Sequence, residues 1–141
     1  MDSEMKEANI LFFLTPKSAL EYLEGDSTVR QAIEKMEYHR YNVVAVVDRV
    51  TGKYLHSISD GDLLFFLKQH GCTVEGSSRY SLEDVEVHRN YSSVSIAMKM
   101  DDLINLIVAQ NFVPVTDDKG VFIGIVTRKA VMNYLLSKNP D

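Results

Sequence analysis

Asn42-Val-Val-Ala-Val-Val-Asp48, followed after a turn by Tyr54-Leu-His-Ser-Ile-Ser59-Asp-Gly-Asp62, has a counterpart later in the chain. That counterpart is Asn111-Phe-Val-Pro-Val-Thr-Asp117, followed by Phe122-Ile-Gly-Ile-Val-Thr127-Arg-Lys-Ala130. Each copy is a valine-rich run closing on Asp, a turn with Gly, a second apolar run, then Ser or Thr opening a helix. The spacings from Asp48 to Ser59 and from Asp117 to Thr127 agree within one residue. Two half-units that each leave an apolar face exposed bury it by stacking, and the seam is where a ligand could sit.

Working outward, Val29, Ala32, Ile33 and Met36 fall on one helical face after the cap Asp26-Ser27-Thr28. The continuous run Val43 to Val47 is too short for a helix and rich in β-branched residues, so it reads as a buried strand. Thr51-Gly52 gives a turn, and Tyr54 to Ile58 an antiparallel partner, because so short a connection permits only a hairpin. Ser59 then opens a helix carrying Leu63, Leu64, Phe66 and Leu67, which ends before Gly71. In the second copy Met100, Leu103, Ile104, Ile107 and Val108 mark the first helix, Phe112 to Thr116 and Val121 to Val126 the strands, and Thr127 to Ser137 the closing helix, with Val131, Tyr134 and Leu135 inward. Ala19 to Leu23 and Val94-Ser-Ile96 are expected to add short edge strands. Ile10 to Leu14 reads as an apolar packing segment, with Thr15-Pro16 as a helix start.

The expected fold class is therefore α+β, an α-β-β-α unit occurring twice. The expected segments are an N-terminal stretch 1–14, repeat 1 at 15–71, a polar linker 72–90 holding the capped turn Ser81-Leu-Glu-Asp84, repeat 2 at 91–138 and a tail 139–141.

Composition narrows the function classes. With 141 residues, 45% hydrophobic and 25% charged, the chain is that of an ordinary globular domain. Its net charge of −5 disfavours nucleic acid as the main partner. No apolar run approaches the ~20 residues that span a bilayer, and the acidic start Met-Asp-Ser-Glu does not resemble a secretory signal. Cys72 is the only cysteine, so neither an internal disulfide nor a thiolate cage is available, and a cytoplasmic location without membrane attachment is expected. His39, His56, His70 and His88 lack the spacing of a metal site. No P-loop, Gly-x-Ser-x-Gly elbow or His-Glu-x-x-His is present, so neither a catalytic residue nor a metal is assigned.

The two hairpins, and above all Val113-Pro-Val-Thr-Asp117 through Gly124-Ile-Val-Thr127, resemble the cystathionine β-synthase (CBS) domain in its tandem form, the Bateman module. With Ile10-Leu-Phe-Phe-Leu-Thr-Pro16 in front, the chain looks like the small free-standing bacterial members. The resemblance implies two sheets packed about a pseudo-twofold axis, two clefts, and association into a homodimeric disc. It also implies an adenosine-containing regulatory ligand such as AMP, ADP, ATP or S-adenosylmethionine, with no catalytic cofactor, and an unknown regulated protein as partner.

On the residues that match, Ser59 offers a hydroxyl and free backbone N–H groups to a phosphate, and Asp62 can accept both ribose hydroxyls. The same cleft would take Ser57 and Ile58 from repeat 1, and Val94, Ser95, Ile96, Phe112, Val113 and Pro114 from repeat 2. Arg40, Tyr41, Asn42 and Arg128 are candidate phosphate neighbours. The second cleft has Thr127 but Ala130 in place of the acid, and His56 stands where copy two has Gly124. Ser59-x-x-Asp62 is equally an ordinary helix cap when taken alone. A ligand-free assembly platform, an enzyme, and an ACT-type amino-acid-binding domain are the competing readings.

Overall fold

A computed structural model describes residues 9–88 and 91–137. In chain order the elements are β1 (Thr15–Pro16), β2 (Leu23–Glu24), α1 (Val29–His39), β3 (Val43–Val47), β4 (Tyr54–Ser59), α2 (Asp60–His70), β5 (Val94–Ser95), α3 (Met100–Ala109), β6 (Phe112–Thr116), β7 (Phe122–Thr127) and α4 (Arg128–Ser137). The chain divides into two units, Glu21–Asn90 and a discontinuous one formed by Met1–Leu20 with Tyr91–Asp141. Both are mixed α+β.

In the unit Glu21–Asn90 the sheet order is β2-β3-β4. Leu23 and Glu24 run parallel to Val46 and Val47, while β3 and β4 form the expected antiparallel hairpin, with Val44 opposite Ile58 and Val46 opposite His56. Alternate residues of a strand share a face, so Val44, Val46 and Ile58 all reach one core with Val29, Ala32, Met36, Leu63 and Phe66. The helix α1 starts where Thr28 and Gln31 satisfy each other's backbone N–H in a capping box. The stretch after α2 packs into this unit too: Ser81 caps a 3₁₀ turn at Leu82–Asp84, and Leu82 and Val85 join the core.

The other unit carries the sheet β1-β7-β6-β5, whose core contains Val94, Leu103, Ile107, Val113, Val115, Val126 and Val131. Ile10 and Phe13 are buried in it as well. Thr15-Pro16 does not start a helix: it lies antiparallel to β7, with Thr15 opposite Ile125 and Pro16 opposite Gly124, and only a 3₁₀ turn, Lys17–Ala19, follows. Proline is tolerated there because β1 is an edge strand. The lead-in strand ahead of α1 also lies later than Ala19 to Leu23, at Leu23–Glu24.

One helical position differs from the expected inward set, and two more of the apolar residues that mark their helices are exposed. Leu135, expected inward with Val131 and Tyr134, is exposed; so are Leu64 and Val108, whereas Leu63 and Ile107 beside them are buried. Apolar periodicity marks a helix that has an apolar face; it does not tell which of two adjacent apolar residues is buried.

Candidate functional site

The hairpin β3-β4 delivers Ser59 to the start of α2 in extended conformation, the geometry an N-cap requires. Its hydroxyl accepts from the Asp62 N–H at 3.0 Å, and its own N–H donates to Asp62 Oδ2 at 3.0 Å. Asp62 is only 5% exposed. Its second oxygen, Oδ1, accepts from the His88 backbone N–H at 3.2 Å and lies 3.1 Å from His88 Nδ1. Burial of this carboxyl works toward a higher pKa, but the hydrogen bonds from Ser59 and His88 outweigh it and hold the group below the usual carboxylate range. Asp62 is therefore a nearly buried, ionised acceptor at a helix N-terminus.

Behind it, Ser57 is buried and shares a hydrogen bond with the Tyr54 hydroxyl at 2.8 Å, and Ile58 lies wholly in the core. His56 is half-buried, and its Nε2 is buried with no hydrogen-bond partner among the described residues. Desolvation lowers the His56 pKa, with the Asp62 charge opposing.

Arg40, Tyr41 and Asn42 sit together at the α1–β3 junction. They line a groove of about 630 Å³ with Asp60 on its polar side and Met36 and Leu64 on its apolar side. Asn42 is fixed by its carbonyl, which accepts from the Asp60 N–H at 2.9 Å. Arg40 caps α1 in the left-handed conformation, φ 58° and ψ 41°, a region a non-glycine residue enters at a cost of about 1 kcal/mol.

The corresponding residues of the other unit differ. Thr127 Oγ1 accepts from the Ala130 N–H at 3.1 Å, so the cap is present without an acid. Arg128 is turned to α3: Nε donates to the Ile107 carbonyl at 2.8 Å and Nη2 to that of Val108 at 3.3 Å. Its charge thus sits on a helix C-terminus, where the dipole favours it. Val94, Phe112, Val113 and Pro114 are buried, with Ser95 and Ile96 half-buried, and Phe112 stacks on Tyr91 at 5.0 Å. The sequence-derived candidates thus fall into two sets, one in each unit. Two residues escaped the sequence reading. His88 lies in a stretch with no motif, and buried Gln110 bonds to Ser92 on both sides and to the Phe112 carbonyl.

The duplication seen in the hairpins, the caps and the Asp-to-Ala difference agrees with comparison to known proteins. The CBS domain matches residues 14–69 and again 82–137. The chain belongs to the CBS-domain family, as a tandem pair. Solved structures share its fold. CbpB of Listeria monocytogenes, in complex with c-di-AMP, is 19% identical, with 92% of this chain and 96% of that one covered at a TM-score of 0.79. A conserved protein of Geobacillus kaustophilus is 23% identical, with coverages of 93% and 98% and a TM-score of 0.81. The CBS-pair protein CBSX2 of Arabidopsis thaliana is 22% identical, with coverages of 94% and 97% and a TM-score of 0.75; CBSX2 has also been solved in complex with AMP. Comparison with the curated proteins gives no match.

Proposed function

We propose that this CBS pair is a regulatory binding module that takes an adenine nucleotide at the Ser59–Asp62 start of α2 and acts on a partner protein as a homodimer. The observation that carries the reading is Asp62: a carboxylate kept ionised at 5% exposure at a helix start, although the first N–H groups expected to be free there are taken by the Asn42 carbonyl, the Asp60 carboxylate and the Ser59 hydroxyl. Such an acid suits a ribose diol, with a phosphate left to the positive end of the helix dipole and to Arg40. The second repeat, with Ala130 in the same place, is not assigned a nucleotide. Arg40, at the rim of the groove beside Asn42, is the candidate phosphate cation; Arg128, engaged by two carbonyls, is not.

Two structural neighbours were solved with adenine compounds, c-di-AMP and AMP, which makes these the first ligands to try. Regulation then follows as a population shift: the ligand alters a partner's response only by binding one arrangement of the module more tightly than another. Exposed Leu64 and Phe65 on α2 and, in the other unit, exposed Val108 on α3 are apolar residues of the kind a homodimer would cover. Titration calorimetry with AMP and c-di-AMP on the wild type and on Asp62→Ala tests the assignment.

One observation favours a second reading. Both oxygens of Asp62 already have protein partners, which is what a ligand-free assembly module needs. In that case neither compound gives heat, and Asp62→Ala changes stability alone.

A further inference from the structure

Asp62 Oδ2 is bonded within its own capping box, but Oδ1 is filled from outside, by a residue 26 positions along the chain. A carboxylate that receives a vicinal diol needs that outer oxygen free. Its occupant is held lightly. The two contacts, at 3.1 and 3.2 Å, are at the long end of normal hydrogen bonds. The His88 side chain is 46% exposed, and its remaining described contact is an edge-on approach to Phe65 at 4.9 Å, a ring that is itself half exposed.

Comparison of the repeats shows why His88 is available. Lys17 and His88 stand equally far ahead of the lead-in strands β2 and β5, so Thr15–Pro16 and Glu86–Val87 are equivalent segments. The first is laced onto β7, where a Cβ at Gly124 would lie 2.2 Å from the Thr15 carbonyl oxygen; only glycine admits that approach. The matching position on β4 is His56, opposite Val46 as Gly124 is opposite Val115. A side chain there denies the same approach, and residues 86–88 join no strand. Repeat 1 therefore hangs on one carboxylate the segment that repeat 2 fixes in a sheet. Where the carboxylate is replaced, at Ala130, the equivalent of His88 is Lys17.

We propose that His88 is an intramolecular latch on Asp62, closing the acid in the unliganded protein and released when the ribose of a nucleotide takes its place. The latch makes the 86–88 segment the part of the molecule that reports occupancy of the site, and so the means by which binding is passed on. It rests on the adenine reading above.

Calorimetry with AMP, and separately with c-di-AMP, on wild type, His88→Ala and His88→Phe tests it. His88→Phe keeps an aromatic ring beside Phe65 while removing the imidazole donor. Loss of the imidazole's competing hydrogen bond to a charge, with the backbone N–H of residue 88 retained, should tighten binding by at least about tenfold in both variants. Hydrogen exchange of the peptide containing His88 should accelerate when the ligand is added to the wild type. Equal or weaker binding by both variants, or unchanged exchange at His88, overturns the latch while leaving the adenine reading in place. Failure of both compounds to bind any of the three proteins refutes the adenine reading itself, and the latch with it.

Discussion

Gly124 and His56 occupy one structural position in two repeats and do opposite things. At Gly124 the missing Cβ lets β1 pass: an added methyl would meet the Thr15 carbonyl at 2.2 Å and the Pro16 Cα at 3.1 Å, both backbone atoms that cannot swing aside. Gly124→Ala is expected to cost about 2–3 kcal/mol in urea denaturation. Gly61→Ala serves as the control, since its Cβ meets Ser59 Oγ at an ordinary 3.6 Å within α2 and helix propensity favours it by ~0.5–1 kcal/mol. Equal effects of the two would contradict the close-approach account. His56 carries a pH signature instead. Its folded pKa is lowered, chiefly by desolvation, while in the unfolded chain it titrates near ~6.5. The stability gained by keeping it neutral is thus complete above about pH 6.5 and is lost as pH falls from there through the folded value. Denaturation midpoints between neutral and mildly acidic pH should fall more steeply for the wild type than for His56→Leu; parallel curves would rule this out. Asp62, with its pKa depressed, adds its own loss only in the carboxylate range, below about pH 4.

At the scale of the element, α1 shows how much a helix discloses in advance. Its cap at Thr28 and its face of Val29, Ala32 and Met36 were legible because they depend on neighbours three and four residues away. The place of its end at His39 and Arg40 was legible too, but not its conformation: Arg40 adopts the left-handed conformation usually left to glycine. Strain retained at a groove lined by Arg40, Tyr41 and Asn42 is the pattern of a residue kept for its charge. Arg40→Gly should therefore raise the melting temperature, by the equivalent of ~1 kcal/mol, and at the same time weaken AMP binding. A variant that is more stable and binds equally well would remove Arg40 from the site. The strand β1 was missed for a related reason. Thr15-Pro16 reads locally as a helix start, and only pairing with β7, more than a hundred residues away, makes it a strand.

For the whole molecule, the internal repeat carried the fold: two hairpins with the same bulge, between Val46 and Val47 and between Val115 and Thr116, each followed by a capped helix. The site was only half legible. Ser59, Asp62 and the contrast with Ala130 follow from aligning the copies, because a cap and its acid lie within one helical turn. The His88 contact does not, since it joins residues from different elements without a motif. The exposed Leu135 was misplaced inward, and Leu64 and Val108 were legible only as helix markers, for want of any partner surface in the sequence itself. The central claim, that this CBS pair holds an adenine nucleotide on Asp62 and not at Ala130, is tested most directly by titration calorimetry with AMP and c-di-AMP on wild type, Asp62→Ala and Thr127→Ala. Saturable heat from at least one compound, abolished by Asp62→Ala and unchanged by Thr127→Ala, is the expected result. Absence of heat in the wild type, or binding that survives Asp62→Ala undiminished, would contradict it.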